Sequence, residues 1–285
     1  MSASSSSGTV LVTGASTGIG EACALHLASL GFGVLAGVRR EEDSRRLAEH
    51  PGVTPVMLDV TDAGAISAAA ERAAATNRGR LAGLVNNAGI AVAAPLELVP
   101  IDELRHQLEV NVVGQVAVTQ AMLPLLRAAR GRVVNIGSVG GLVALPMLGA
   151  YAASKFALEA ITDALRREVA SQGVRVAIVE PASVRTPIWD KSEEAADEIG
   201  AGAGDEAERL YGSLIRAIRA GAAQARVEGV PPRAVAEVVA EALTHPRPRT
   251  RYPVGREARG RAIAARVLPD RALDRAIARR LREER

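Results

Sequence analysis

Thr9-Val-Leu-Val-Thr-Gly-Ala-Ser-Thr-Gly-Ile-Gly20 joins four strand-forming residues, a glycine-spaced turn and the start of a helical pattern that continues through Ala24, Leu27, Ala28 and Leu30. It reads as a short buried strand, a turn and a helix. Gly14, Gly18 and Gly20 leave backbone N–H groups accessible at the positive end of that helix. With Ser16, Thr17 and Ile19 they form a candidate cradle for a dinucleotide pyrophosphate. The competing reading is a glycine-rich turn that holds no ligand; the strand before it and the helix after it favour the cradle.

Working outward, Gly33–Val38 reads as a second strand, whose end would lie beside an adenine ribose. No acidic residue stands there to hold a ribose 2′-OH. Arg39 and Arg40 stand there instead, and arginine pairs with a 2′-phosphate, so NADP(H) is favoured over NAD(H). The alternative is two loop arginines facing water. Residues 53–58 read as a third strand ending in Asp59 and Val60; Asp59 either meets the adenine amino group or, with Thr61 and Asp62, caps the next helix, over 65–75. A fourth strand, 81–85, runs into Asn86-Asn87-Ala88-Gly89, which suits packing beside the adenosine or a plain turn. Strand and helix alternate throughout, which predicts a parallel sheet covered on both faces.

The second half carries the chemistry. A long helix is expected over 102–126, with Pro124 near its end and Asn111 inside an apolar stretch, where its side chain needs water, backbone or a distorted helix as partner. Residues 132–136 form a fifth strand, and Ser138 falls at its carboxyl end. Tyr151-Ala-Ala-Ser-Lys155 begins another helix and puts the phenol and the ammonium on one face. Proton transfer near neutral pH asks a tyrosine to shift by roughly three units, or about 4 kcal/mol. An ammonium about 4 Å away at an effective dielectric near 20 supplies on the order of 4 kcal/mol before desolvation. Of 35 basic residues only Lys155 and Lys191 are lysines, the tunable type. By itself, Tyr-x-x-x-Lys is more often a solvated helix face.

A sixth strand over 173–179 leads to Pro181, Ala182, Val184 and Thr186. Residues 188–230 then break the compact alternation and read as a substrate lid or as plain helical packing. Pro231-Pro232 opens a helix to Leu243, and 249–254 read as a last short strand.

Composition bounds the rest. Apolar residues make up 48% of the 285 and aromatic ones only 2%, so an Ala, Val, Leu and Ile core is expected in a single α/β domain. The single cysteine, Cys23, allows no intrachain disulfide and fits a reducing, cytoplasmic setting. Residues 1–8 read as a disordered leader rather than a secretory signal. The longest charge-free span, 133–154, holds four glycines, Asn135 and Pro146 and makes a poor membrane helix, so no integral membrane segment is expected. From His245 onward 13 arginines face five acidic residues. That basic extension, 255–285, lacks the aromatics of a nucleic-acid binder and reads as helices docked on the body. No metal cluster is found.

Thr13-Gly-x-x-x-Gly-x-Gly20, Asn86-Asn-Ala-Gly89, Asn111, Ser138 and Tyr151-x-x-x-Lys155 occur in an order and spacing that resemble the classical short-chain dehydrogenase/reductase family. The resemblance runs from about Thr9 to the lid and implies one Rossmann-like, doubly wound, three-layer αβα domain over 9–254. It implies hydride exchange between NADP(H) or NAD(H) and an alcohol or ketone. Tyr151 would be the acid/base, Ser138 would orient the substrate oxygen, Lys155 would lower the tyrosine pKa and hold the nicotinamide ribose, and Asn111 would extend the proton path through water. Val184 and Thr186 match positions that hold the carboxamide, and Pro181-Ala182 departs from the family's Pro-Gly. Family members pair into homodimers or homotetramers through the helices carrying Asn111 and Tyr151. Val92, Leu142, Val143, Leu145, Met147, Ile188 and Trp189 are candidate lining residues for a hydrophobic substrate, and two segments look like the branch acting on steroid and retinoid alcohols. A dinucleotide sensor without catalysis is the competing function.

Overall fold

Val10, Leu11 and Val12 alternate between the two sides of one strand and are all fully buried, so this strand must be covered on both faces. It is an interior strand of the sheet. The computed structural model describes residues 8–189 and 204–283. Its strands are β1 (Thr9–Val12), β2 (Gly33–Val38), β3 (Val53–Met57), β4 (Leu81–Asn86), β5 (Arg132–Ile136), β6 (Arg175–Pro181) and β7 (Arg251–Val254). They pair in the order β3-β2-β1-β4-β5-β6-β7, every neighbour parallel. The described helices are α1 (Gly18–Ser29), α2 (Glu41–Ala48), α3 (Ala63–Ala74), α4 (Ile101–Leu108), α5 (Gly114–Ala129), α6 (Gly149–Glu168), α7 (Gly204–Glu228), α8 (Pro232–Thr244), α9 (Arg256–Val267) and α10 (Asp270–Glu283).

Two apolar clusters follow from that alternation. On one face Val10, Val12 and Val34 meet Leu27 of α1, Leu47 of α2 and Val235, Val239 and Leu243 of α8. On the other, Leu11, Leu35, Leu84 and Val133 meet Ile66 and Ala69 of α3 and Val118, Met122 and Leu126 of α5. The chain is therefore the expected single doubly wound α/β domain. β1 and β4 lie side by side while their connections leave in opposite directions, and that divergence opens a crevice at their carboxyl ends.

Some local expectations change. Glu41–Ala48 was not anticipated as a helix because five of its eight residues are charged and it shows no apolar period; it forms around buried Leu47, with buried Asp43 accepting from Arg40 at 2.9 Å. α3 is capped by Asp62, which accepts from the Gly64 and Ala65 N–H groups. The helix expected over 102–126 is instead α4, a π-helical turn at Glu109–Val113, and α5. Pro124 lies inside α5, which ends where Arg130 turns left-handed at φ 50°. By length and composition alone Ile101–Ala129 would suit a bilayer, but here it packs against the sheet through Val118, Met122 and Leu126. Residues 1–7 of the expected leader and 190–203 of the expected lid lie outside the described residues.

A polar line crosses this core. Asn86 Nδ2 donates to Thr119 Oγ1 at 2.8 Å and to Asn135 Oδ1 at 2.9 Å, and Asn135 Nδ2 donates to Thr162 Oγ1 at 2.7 Å. The two threonine hydroxyls close the line on the backbone carbonyls of Gln115 and Leu158. It ties α5, β4, β5 and α6 together at about 1 kcal/mol per bond.

Candidate active site

The crevice opens into a cavity of about 680 Å³ that runs from the glycine turn, past the ends of β4 to β6, to α7, α9 and α10. At its first end the chain turns tightly enough to exclude side chains. Gly14 has φ +61°, and a Cβ on it would lie 2.8 Å from Ala88 Cα; a Cβ on Gly20 would lie 2.2 Å from the Gly14 carbonyl oxygen. Thr13 and Asn87 lock the turn: Thr13 Oγ1 accepts from the Asn87 and Ala88 N–H groups, and Asn87 Nδ2 donates to the Thr13 and Gly14 carbonyls, at 2.9 to 3.0 Å. Arg46 of α2 braces it from outside, through Glu21 and the Ser16 carbonyl. Such a cradle, bare of Cβ atoms and set at the start of α1, fits a nucleotide pyrophosphate.

Gly14, Ser16, Thr17, Gly18 and Ile19 line the cavity, as do Arg39, Asp59, Val60, Asn87, Ala88 and Gly89. Arg39 lies 4.0 Å from Asp59 and stays largely exposed. Arg40 turns away, onto Glu42 and Asp43. Burial acts to raise Asp59, but hydrogen bonds from the Thr61 N–H and hydroxyl, with Arg39 and His106, outweigh it and hold the carboxyl below its ordinary range. Gly20 and Asn86 stand off the wall: Gly20 packs against the Gly14 carbonyl, and Asn86 belongs to the polar line in the sheet.

At the middle of the cavity β5 ends in Ser138, and α6 brings Tyr151 and Lys155 to the same wall. Ser138 Oγ accepts from the Gly140 N–H at 3.0 Å and hydrogen-bonds the Tyr151 phenol. Lys155 Nζ donates to the Ile136 carbonyl at 2.8 Å and lies 5.7 Å from the centre of the Tyr151 ring. Burial raises Tyr151 above its ordinary value, and the Ser138 bond pulls it partly back. Burial also lowers Lys155 to about 8, against a raising influence from Glu159. Desolvation is the largest influence on both groups, and Lys155 Nζ donates to a backbone carbonyl.

Asn111 lies in the π turn and finds the backbone partner that its buried amide requires. Its side chain is saturated by protein, with Oδ1 accepting from the Ile90 N–H at 2.9 Å and Nδ2 donating to the Ile90 carbonyl and Ser154 Oγ, both at 3.0 Å. Gln107, one turn earlier, binds the Val92 N–H and the Ile90 carbonyl in the same way. Together the two amides fix the loop after β4 as part of the cavity wall. The i, i+4 spacing of Gln107 and Asn111, which puts two amides on one helix face, was the signal for Gln107.

Beyond Tyr151 the wall becomes apolar. Val92, Val143, Leu145, Ile188 and Trp189 line it as expected, whereas Leu142 and Met147 do not. Pro181, Ala182, Val184 and Thr186 edge it at the end of β6, and Trp189 Nε1 donates to the Val184 carbonyl at 2.8 Å. The basic extension does more than dock: Ala264, Leu268, Leu273, Ile277 and Leu281 of α9, α10 and their junction form part of the roof. Among the described residues no group of histidine, cysteine and carboxylate side chains is arranged to hold a metal.

Comparisons with known proteins agree with this arrangement. The family model described as short chain dehydrogenase matches residues 8–197. The chain is 38% identical over 267 residues to the 3-amino-tetrahydro-pyrrolizinone reductase of Xenorhabdus hominickii, covering 93% of each. It is 37% identical to the NADPH-dependent 3-dehydrocapnine reductase of Ornithobacterium rhinotracheale, covering 93% of this chain and 94% of the other. Among solved structures, a short chain dehydrogenase from Burkholderia cenocepacia in complex with NADP superposes with a TM-score of 0.72 at 26% identity, over 94% of this chain and 95% of that one. A glycine cradle at the β1–β4 crevice, a hydroxyl, phenol and ammonium on one wall, and a family match across two thirds of its length make this chain a member of the short-chain dehydrogenase/reductase family, an oxidoreductase that binds NAD(P).

Proposed function

We propose that the protein is an NADP(H)-dependent carbonyl reductase or alcohol dehydrogenase acting on hydrophobic substrates. One observation carries this reading: Ser138, Tyr151 and Lys155 converge on the wall of a cavity with a nucleotide cradle at one end and an apolar room at the other. When bound, the nicotinamide supplies or accepts the hydride. Gly14, Ser16, Thr17, Gly18 and Ile19 would hold the pyrophosphate, Arg39 a 2′-phosphate, Asp59 and Val60 the adenine, Asn87 to Gly89 the adenosine side, and Pro181, Val184 and Thr186 the carboxamide. Ser138 Oγ holds the substrate oxygen, and Tyr151 Oη gives it a proton in reduction and takes one back in oxidation. Lys155 keeps a positive charge beside the phenol and binds the ribose hydroxyls. Asn111 fixes the adjoining loop.

Burial keeps Tyr151 protonated at neutral pH, the form that reduction needs. Reduction is therefore expected to hold its rate across neutral pH, and oxidation to climb as pH rises. Tyr151→Phe is expected to lower NADPH-dependent reduction by about 10³-fold while NADPH still quenches or enhances fluorescence on binding; unchanged turnover would sink the reading. Val38→Asp with Arg39→Ala is expected to move preference toward NAD, and an absent shift would remove Arg39 from the argument.

A dinucleotide sensor is disfavoured because sensing asks for no hydroxyl, phenol and ammonium at one wall. The same reading carries pairing of copies through α5 and α6, beside which Val113 and Phe156 remain exposed; light scattering tests it. Buried, unpaired Cys23 suits a cytoplasmic setting.

A further inference from the structure

The two helices that roof the cavity each carry a second face. Inward, Ala264 and Leu268, then Leu273, Ile277 and Leu281, line the apolar room. Outward, another pattern repeats every four residues, a spacing that sets side chains in a row along one side of a helix. On α9 the row is Arg259, Ile263 and Val267, all exposed, the two apolar side chains by 64% and 72%. On α10 it is Arg271, Arg275 and Arg279, again all exposed. A Cβ built on Gly260, beside the α9 row, would meet no atom within 4 Å. Among the described residues nothing covers that face there.

Both rows are costly in water. Ile263, Val267 and the 40% exposed Leu268 form a contiguous apolar tip at the end of α9 rather than scattered single residues. Arginines four apart on a helix repel one another. Among the described residues Arg271 and Arg275 make no ion pair, and Arg275 Nε donates to the Arg271 carbonyl at 2.9 Å. Asp270 and Asp274 stand about a third of a turn away from the arginine row, at roughly 100° per residue. The sequence from His245 onward, with 13 arginines against five acidic residues, adds to the positive field.

An apolar tip beside a row of cations selects among occupants. Nucleic acid answers the arginines and leaves the tip in water. A second copy brings the same arginine row to a self-complementary contact and sets cations against cations. A bilayer containing anionic lipid answers both, with its acyl boundary for the tip and its phosphates for the arginines. We propose that α9 and α10 form a docking surface for such a bilayer, with Ile263, Val267 and Leu268 entering the headgroup boundary and Arg259, Arg271, Arg275 and Arg279 lying on lipid phosphates. The protein then rests on the membrane without spanning it. Leu268, at once exposed and part of the cavity wall, stands where the apolar room meets that boundary.

Flotation of the full chain with vesicles tests this. Vesicles of phosphatidylcholine and phosphatidylglycerol in equal parts are expected to carry the protein up, and vesicles of phosphatidylcholine alone to leave it behind. Raising salt should loosen the binding. Replacing three arginines together, Arg271→Gln, Arg275→Gln and Arg279→Gln, is expected to weaken it about a hundredfold, at roughly fivefold each. Ile263→Ser with Val267→Ser is expected to weaken it by about tenfold. All five side chains are exposed, so both variants should keep the parent melting temperature. Cys23 is buried, which leaves Ile263→Cys open to selective labelling with a polarity-sensitive dye. Its emission should shift to the blue on the mixed vesicles, while a dye at Glu49→Cys, beside the opposite edge of the sheet, stays unchanged. No flotation with the anionic vesicles overturns the proposal, as does binding that neither set of substitutions weakens. Bound protein whose dye at position 263 still reports water also overturns it, since the tip has then not entered. A dimer that Ile263→Ser with Val267→Ser dissolves, while vesicle binding is unaltered, gives the face to a second copy and likewise overturns it. Docking is read without cofactor or substrate, so a failure of the proposed reaction leaves this result to stand or fall by itself.

Discussion

The two ends of the cavity are built by different physics. The nucleotide end is stitched by directional polar contacts: Thr13 and Asn87 across the turn, Gln115 to the Ala88 carbonyl, Asn111 and Gln107 to the loop at Ile90 and Val92. The roof over the other end is Ala264, Leu268, Leu273, Ile277 and Leu281 on amphipathic, arginine-rich helices, held by apolar contact. Hydrogen bonds fix position to within a few tenths of an ångström, whereas apolar burial rewards area with little regard for direction. The difference teaches that this fold holds its cofactor end to one geometry and lets its substrate end vary.

The strongest blow to that contrast is a methyl group at Gly20. Gly20→Ala drives a Cβ to within 2.2 Å of the Gly14 carbonyl oxygen, and the overpacked turn is expected to cost about 3 kcal/mol and to abolish NADPH binding. Urea unfolding and a fluorescence titration would read both; a stable variant with intact affinity would mean that the turn yields.

Lys155→Met tests the middle of the cavity. Burial lowers Lys155 to about 8 from 10.5, so at neutral pH the folded protein carries the cost of a charged lysine that the unfolded chain does not. That cost is full below about 8 and is relieved as pH rises toward 10.5. After allowance for the lost bond to the Ile136 carbonyl, the substitution is expected to stabilise the protein by about 1–2 kcal/mol at pH 7. The gain should shrink by pH 10 in paired urea titrations, while reduction is lost. A destabilised variant at pH 7 would instead make the lysine a structural asset.

The smallest effect is expected at the roof. Leu273→Ala should raise KM for a bulky ketone by about five- to tenfold, near 1 kcal/mol, and leave NADPH affinity unchanged. A parallel loss of cofactor affinity would show that the two ends are coupled and would erase the contrast.

Legibility in the sequence follows the same division. The strands were readable because a strand buried on both faces must be a continuous apolar run, as in Val10 to Val12 or Val133 and Val134. The glycine turn, Ser138, Tyr151 and Lys155 were readable because each reaches the cavity through local spacing on a single element. α2 was not, since Glu41-Glu42-Asp43 and its arginine partners give no apolar period, and a single leucine decides its docking. The π turn was hidden because one inserted residue in a helix leaves no compositional trace. Asn86 and Asn111 illustrate the remaining limit: a buried amide beside a ligand site and one that braces it look alike until their partners are known, and here those partners are Thr119, Asn135, Ile90 and Ser154. The docking of α9 and α10 was legible in their apolar positions but their place over the cavity was not, because amphipathic helices joined far along the chain can rest anywhere.

The amide-and-hydroxyl line through Asn86, Asn135 and Thr162 makes the helix that carries the phenol answer to the sheet beneath it. On the proposed reading, evolution can therefore remodel the ceiling of this chamber residue by residue, trading one oily guest for another, without moving Tyr151. Divergence in diet need not disturb the chemistry.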